Sequence, residues 1–472
     1  MEFMNDVKRK TVGIAIDQVL KYMNKDREKH LLNLVDVTEK IAGDMFQQKS
    51  YEGAREMFRN SDGKWMGYIH RLLDEVDSHV LKMTALNLGY QAAFTGTKTI
   101  REMREKYNCN IPWVILIDPT SACNLKCTGC WAAEYGHKLS LSFEQLDDII
   151  TQGKKLGVYF YMYTGGEPLM RKKDLIRLCE KHKDCAFHAF TNGTLVDDVF
   201  CEEMVRVGNM SLSLSVEGFE AENDGRRGEG IFNKVLEAMD RLKNHGLIFG
   251  TSICYTRNNL ETVTSDDFLD MLIDHGCRYS WYFHYMPVGN DAAMDLVPTV
   301  DQRKYMYQRV REIRGKDGGK PIFVMDFQND GEFVGGCIAG GRNYLHINAN
   351  GDVEPCVFIH YSSANIKDVP LLEALQQPLF MAYREGQPFN ENHLRPCPML
   401  ENPELLEAMV KKSGAVSTDL QSPEPVENLC GKCKGYAADW KIAADQIWDS
   451  HAHHEQYYEN YKKIDSKKDE QR

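Results

Sequence analysis

The chain has 472 residues, 43% apolar and 27% charged, enough for two or three domains around a sizeable core. A formal charge of −12 disfavours a nucleic-acid partner, and no apolar run approaches the roughly 18 residues needed to span a bilayer. The opening MEFMNDVKRKTVG lacks the apolar core of a secretory signal, so a cytoplasmic location is expected, with the 14 cysteines as thiols or metal ligands and not disulfides.

Residues 1–108 carry apolar residues at helical spacing, among them Val12, Ile16, Val19 and Leu20 and later Ile69, Leu72, Leu73 and Val76, which predicts a helical N-terminal domain. Its run from Met83 to Phe94 is small and apolar, suited to covering a pocket or touching lipid. Across 109–330 strands and helices alternate at about the 30-residue period of βα units. The strand candidates are Trp113 to Asp118, Tyr159 to Tyr163, Ala186 to Phe190, Met210 to Val216, Ile248 to Tyr255 and Tyr279 to Met286. Ser142 with Gln145 three residues on forms a capping box for a helix that ends before Gly157, and a second helix spans Ile231 to Asn244. Six such units predict an α/β fold with a partial (β/α)6 TIM-type barrel, whose chemistry sits at the C-terminal ends of the strands.

The first strand runs into SACNLKCTGCW, which sets Cys123, Cys127 and Cys130 on one loop. Soft thiolates favour iron–sulfur clusters, zinc or Cu(I), and no fourth cysteine follows before Cys179. Three ligands on a four-iron cluster leave one iron open for a substrate or cosubstrate. A zinc loop is the alternative, with Cys127 and Cys130 as half of its ligand set. Thr164-Gly165-Gly166-Glu167-Pro168 closes the second strand, where glycines let backbone approach a ligand and Glu167 offers an acceptor to an ammonium group. Thr191-Asn192-Gly193 closes the third, and Ser213-Leu214-Ser215-Val216-Glu217-Gly218 followed by Asn223-Asp224-Gly225-Arg226-Arg227-Gly228 leaves the fourth. Taken singly each reads as a turn, with solvated arginines in the last. Cys109, Cys179, Cys185, Cys201, Cys254 and Cys277 read as small buried hydrophobes, and His284 in YSWYFHYMPVGN as a structural histidine.

In this order the motifs resemble the radical S-adenosylmethionine (SAM) superfamily, whose signature is the cysteine triplet after the first barrel strand. The resemblance implies a 4Fe–4S cluster on Cys123, Cys127 and Cys130 that binds SAM and cleaves it reductively to a 5'-deoxyadenosyl radical. It also implies SAM contacts from Gly165, Gly166, Glu167, Asn192, Ser215 and Arg227. Glu217 and Asn223 stand where the family pattern has Asp and His, which puts in doubt a proton-handling role there but not SAM binding.

Between Cys337 and Cys356 the sequence YLHINANGDVEPC carries strand alternation and an Asn350-Gly351 turn, a β-hairpin that brings the two thiols together. With Cys397, Cys430 and Cys433 this resembles the auxiliary-cluster SPASM/twitch domains, and a small cysteine-rich C-terminal domain is expected at 331–440, before a helical tail at 441–472. Five thiols exceed the four of one closed cluster, so the expectation is one auxiliary 4Fe–4S cluster on Cys337, Cys356, Cys397 and one of Cys430 and Cys433, with a structural zinc site as the alternative. His451, His453 and His454 read as exposed helical residues. The resemblance implies an enzyme served by an electron donor such as flavodoxin or ferredoxin, with peptide or protein modification as the leading substrate class. Radical modification of a lipid or small metabolite is the alternative within the enzyme class, and a non-catalytic iron–sulfur or zinc scaffold the alternative outside it.

Overall fold

The computed structural model describes residues 2–23, 27–42, 48–315 and 319–450. The tail histidines His451, His453 and His454, with the rest of 451–472, lie outside the described residues. The expected helical start is borne out by helices Glu2–Met23, Arg27–Ala42, Gln48–Arg59, Lys64–Glu75, Ser78–Thr84 and Thr97–Tyr107. Asp77 caps the fifth, its carboxylate accepting from the backbone N–H of His79 and Val80 at 2.8 and 3.2 Å. Left-handed Asn108 ends the last.

Between the last two helices the backbone winds as a π-helix over Ala85–Gly96, the apolar run singled out in the sequence. It lies against the N-terminal ends of the barrel strands. Trp113 Nε1 donates to Ala92 O at 3.2 Å, and Asn87 Nδ2 donates to the carbonyls of Lys183 and Cys185 at 3.1 and 2.9 Å. A Cβ on Gly96 would meet the carbonyl oxygen of Gly157 at 2.5 Å, so the absence of a side chain permits the contact. The run therefore covers the barrel floor.

Nine strands form the main sheet: β1 Val114–Ile117, β2 Phe160–Tyr163, β3 Ala186–Thr191, β4 Met210–Ser215, β5 Phe249–Tyr255, β6 Tyr279–His284, β7 Phe323–Asp326, β8 Tyr344–Ile347 and β9 Val353–Glu354. Their order is β7-β6-β5-β4-β3-β2-β1-β8-β9, parallel throughout except for the antiparallel pair β8 and β9. The six expected strands are all present. The expected hairpin forms too, and β8 in addition pairs with β1 from Val114↔Tyr344 to Ile117↔Ile347, so the C-terminal part is built into the barrel sheet.

Side chains alternate across the sheet with period two. Ile115, Ile117, Tyr161, Tyr163, Leu212 and Leu214 point outward into the apolar core under the surrounding helices. Leu116, Phe160, Met162 and Tyr344 point inward. The outer helices start where the sequence signals them: Phe143–Lys155 has its Ser142/Gln145 capping box, and Ile231–Asn244 has the bounds expected.

Candidate active site

The loop from β1 is tied at its base before it carries its thiols. Ser121 N–H donates to Leu139 O at 2.9 Å and Leu141 N–H to Pro119 O at 3.2 Å, closing the segment between them. At the end of β2, Gly166 N–H donates to Thr120 O at 3.0 Å and Glu167 N–H to Ala122 O at 2.8 Å, which joins the Gly-Gly-Glu turn to the residue before Cys123. The approach needs both glycines: a Cβ on Gly165 (φ 103°) would meet Thr120 O at 2.6 Å, and one on Gly166 would meet Ala122 O at 2.2 Å.

Glu167 then binds the third motif. Its buried carboxylate accepts from Leu169 N–H at 2.9 Å, from the Thr191 hydroxyl at 2.7 Å and from Asn192 N–H at 2.8 Å. Burial pushes its pKa up, and these donors oppose the shift. A carboxylate has about four acceptor positions, so three internal bonds leave about one for a ligand ammonium. The Asn192 side chain donates to Asn124 Oδ1 at 2.9 Å, and Asn124 donates to Thr194 at 2.8 Å, returning the circuit to the cysteine loop.

The opposite side is held by the turn after β4. Thr128 N–H donates to Arg226 O at 3.0 Å, and Arg226 Nε donates to Thr128 O at 3.2 Å. Arg227 Nη1 lies 3.9 Å from Cys127 Sγ. Both guanidiniums donate to one oxygen of Glu217, which is fully buried and whose other oxygen has no partner. Arg226 is thus no solvated arginine: with Arg227 it sets positive charge beside three groups that become anionic on binding metal. Burial pushes the Cys123 thiol up to about 11 and raises that of Cys127, where Arg227 opposes it.

The predicted residues Cys123, Cys127, Cys130, Gly165, Gly166, Glu167, Asn192 and Arg227 are therefore brought together. Ser215 ends β4 opposite Ser252 of β5, half-buried on the inner face. His284 behaves as expected: buried and neutral, its pKa pushed down to about 3 by burial, it bonds Tyr285 O at 2.7 Å and the Tyr436 hydroxyl at 2.9 Å. Cys254 departs from expectation. The other five cysteines set aside as core are buried, whereas Cys254 is half-buried, on the same face of β5 as Ser252 and within electrostatic reach of Arg226, Glu217 and Cys130.

The sequence reading missed a polar network at the β1–β8 seam. The imidazole of His346 bonds Asp118 at 2.9 Å and Glu354 at 2.6 Å, all three fully buried. Glu354 also accepts from the Tyr135 hydroxyl at 2.8 Å and from Asn348 at 2.9 Å. Burial would push the His346 pKa down, but the two carboxylates raise it to about 10. Trp131, next to Cys130, lies edge-on to His346 and His360 with ring centres 5.8 and 6.0 Å away. The end of the cysteine loop is therefore seated on the C-terminal hairpin.

Around that hairpin Cys337, Cys356 and Cys397 lie within one another's electrostatic reach. The Tyr344 hydroxyl donates to Cys356 Sγ at 2.6 Å. Cys397 N–H donates to Glu401 at 2.5 Å, and Glu401 is held by buried Arg303 at 2.6 Å. Cys430 and Cys433 stand about one turn apart on the helix Val426–Asp449, buried in the same apolar cluster. The buried Tyr383 hydroxyl has no hydrogen-bond partner and is acted on by Cys337, Cys356, Cys397 and Cys430. An orphaned donor among soft thiols fits a sulfur-rich group. Among the described residues no three His, Cys, Asp or Glu side chains are grouped closely enough to hold a single metal ion.

Residues 117–273 match the radical SAM superfamily, and residues 337–399 match the SPASM family, described as an iron–sulfur cluster-binding domain. The chain carries a radical SAM domain followed by a SPASM domain. As such it takes a SAM-binding 4Fe–4S cluster, SAM and auxiliary iron–sulfur chemistry, which fit the thiol loop and the hairpin thiols. Among curated proteins this radical SAM enzyme is 24% identical over 290 residues to an AdoMet-dependent heme synthase of Methanosarcina barkeri, covering 56% of its own length and 82% of that protein. It is 27% identical over 249 residues to the mycofactocin maturase MftC of Mycolicibacterium smegmatis, covering 51% of its own length and 62% of that protein. Among solved structures, SuiB of Streptococcus suis bound to precursor peptide SuiA shares the fold, with a TM-score of 0.52 at 18% identity over 71% of this protein and 80% of SuiB. Among the described residues no helix is long and apolar enough to cross a membrane.

Proposed function

We propose that this enzyme cleaves SAM reductively and uses the resulting 5'-deoxyadenosyl radical to take hydrogen from an organic substrate. One observation carries the reading: the cysteine loop, the Gly-Gly-Glu turn and the Thr-Asn-Gly turn form one hydrogen-bonded ring closed by Glu167. When bound, the cluster and SAM supply the electron transfer and bond cleavage, and the protein supplies position. Cys123, Cys127 and Cys130 hold the cluster. Gly165 and Gly166 offer close backbone, and Glu167 keeps about one acceptor position for the SAM ammonium. Arg227, oriented by Glu217, retains N–H donors for a carboxylate and offsets thiolate charge at Cys127. A flavodoxin or ferredoxin is the proposed electron donor. Cys337, Cys356 and Cys397, with Cys430 or Cys433, are the proposed auxiliary ligands.

A peptide or protein side chain is the substrate class that the family resemblance implies. The uncharged inner face of β2 to β7 supports the other class, a lipid or small apolar metabolite. For the chemistry itself, the protein is reconstituted anaerobically with iron and sulfide, reduced with dithionite, given SAM and assayed for 5'-deoxyadenosine. Iron binding with product formation, both lost in Cys130→Ala, is the expected result. Zinc in the loop and no 5'-deoxyadenosine would overturn the proposal.

A further inference from the structure

From β2 to β7 the inner face of the sheet carries no charged side chain below the motif loops; the charged His346, with Asp118 and Glu354, is confined to the β1–β8 seam. On β3 and β6, and just past β7, the inward residues Phe190, Trp281, Phe283 and Phe327 are partly exposed, whereas their outward neighbours Ala189, Ser280, Tyr282 and Asp326 are buried. The rings run on from one another: Phe190 to Trp281 at 5.2 Å, Trp281 to Phe283 at 6.0 Å and Phe283 to Phe327 at 5.4 Å. Phe160 and Met162 of β2 continue the surface, and the π-helical floor closes it below.

The histidine among these β2 to β7 residues, His188, is neutral. Its two nitrogens bond the hydroxyls of Ser211 and Ser213 at 2.9 and 3.0 Å, and burial pushes its pKa down to about 3. A peptide threaded here would bury backbone amides against aromatic rings, at a cost of about 1–3 kcal/mol for each one left unpaired. A macrocycle with carboxylate arms would meet no cation on β2 to β7. A saturated hydrocarbon loses nothing.

One further feature selects an acyl lipid among apolar molecules. Trp281 Nε1 is buried with no partner, a donor suited to an acyl carbonyl.

Resting on the SAM cleavage proposed above, we infer that the lumen receives the hydrocarbon tail of an acyl lipid and that hydrogen is taken from it. The step is balanced: one C–H bond of the acyl tail breaks homolytically, the hydrogen atom forms the new C–H bond of 5'-deoxyadenosine, and a carbon-centred radical remains on the tail.

The test uses the full-length reconstituted protein with SAM and dithionite, given either phosphatidylglycerol vesicles with perdeuterated palmitoyl tails or a uniformly deuterated peptide mixture. Mass spectrometry reads deuterium in 5'-deoxyadenosine. Deuterium from the vesicles and not from the peptides is expected, with a loss of roughly a hundredfold in Phe283→Glu, which puts an unpaired carboxylate against the acyl tail. Deuterium from the peptides alone overturns the inference, as does transfer from vesicles undiminished in Phe283→Glu. Unlabelled 5'-deoxyadenosine from both arms also overturns it while leaving SAM cleavage standing. No 5'-deoxyadenosine in any arm sinks both.

Discussion

Gly166→Ala tests the site at its tightest point. The added methyl would lie 2.2 Å from Ala122 O and 2.5 Å from Ser121 O, whereas real Cβ atoms essentially never come within 3.0 Å of another heavy atom. Both obstacles are backbone, so no flexible group is there to swing aside, and the loop must retreat by roughly 1 Å, enough on its own to cost about 10²-fold in rate where reacting groups are positioned. The bonds from Gly166 N–H and Glu167 N–H to Thr120 and Ala122 would stretch with it, carrying Cys123 off its seat. Gly67→Ala is the control, because a Cβ there meets nothing within 4 Å. Iron per protein after anaerobic reconstitution and the initial rate of 5'-deoxyadenosine formation are measured for wild type and both variants. We expect the control to match wild type, and Gly166→Ala to lose cluster and to fall about a hundredfold in rate per cluster retained. Wild-type iron and a rate within about threefold of wild type would refute the argument that these two turns are in rigid contact.

Removing the imidazole in His346→Leu leaves Asp118 buried without a partner, and urea unfolding should show a loss of about 3–5 kcal/mol, largely restored by adding Asp118→Asn. The pH dependence has a definite sign. The folded pKa of His346 is about 10 against an ordinary 6.5, so its contribution is complete below about 6.5 and is lost as pH rises through about 10. Wild type should therefore lose urea resistance on the alkaline side of pH 8 more steeply than His346→Leu, and parallel curves would contradict the protonated imidazole. Tyr344→Phe deletes the hydroxyl that donates to Cys356 Sγ at 2.6 Å, and an EPR-monitored redox titration should find the auxiliary cluster at a more negative potential. An unchanged potential would mean that the hydroxyl does not bear on that cluster.

Local features were legible in the sequence wherever the physics is local. The Ser142 cap, the helix Ile231–Asn244 and the β8–β9 hairpin depend on neighbours within a few residues, and the structure has each of them. Cys123, Cys127, Cys130 and Glu167 announce themselves by residue type and spacing. What escaped is what the fold assembles from a distance. The pairing of β8 with β1 joins Tyr344–Ile347 to Val114–Ile117 without local trace, because parallel partners share no turn. Asp118, His346 and Glu354 follow from that pairing and were invisible for the same reason. Cys254 looked like core because a thiol in an apolar strand usually is; only the register of β5 shows that it shares the inner face with Ser252. Glu217 was read as a departure from a pattern, whereas its burial between Arg226 and Arg227 gives it a positioning part.

The seam between β1 and β8 also bears on how electrons could pass through this enzyme. One strand leads into the thiols proposed for the SAM-site cluster, and the other turns back through β9 toward Cys356, so both proposed redox stations hang from a single pair of zipped strands. Their spacing is then a property of the pleat and not of a hinge. A tunnelling gap fixed in this way would stay constant through turnover, and grafting the C-terminal half of a relative onto this barrel would succeed only if the donor half brings its own copy of that strand.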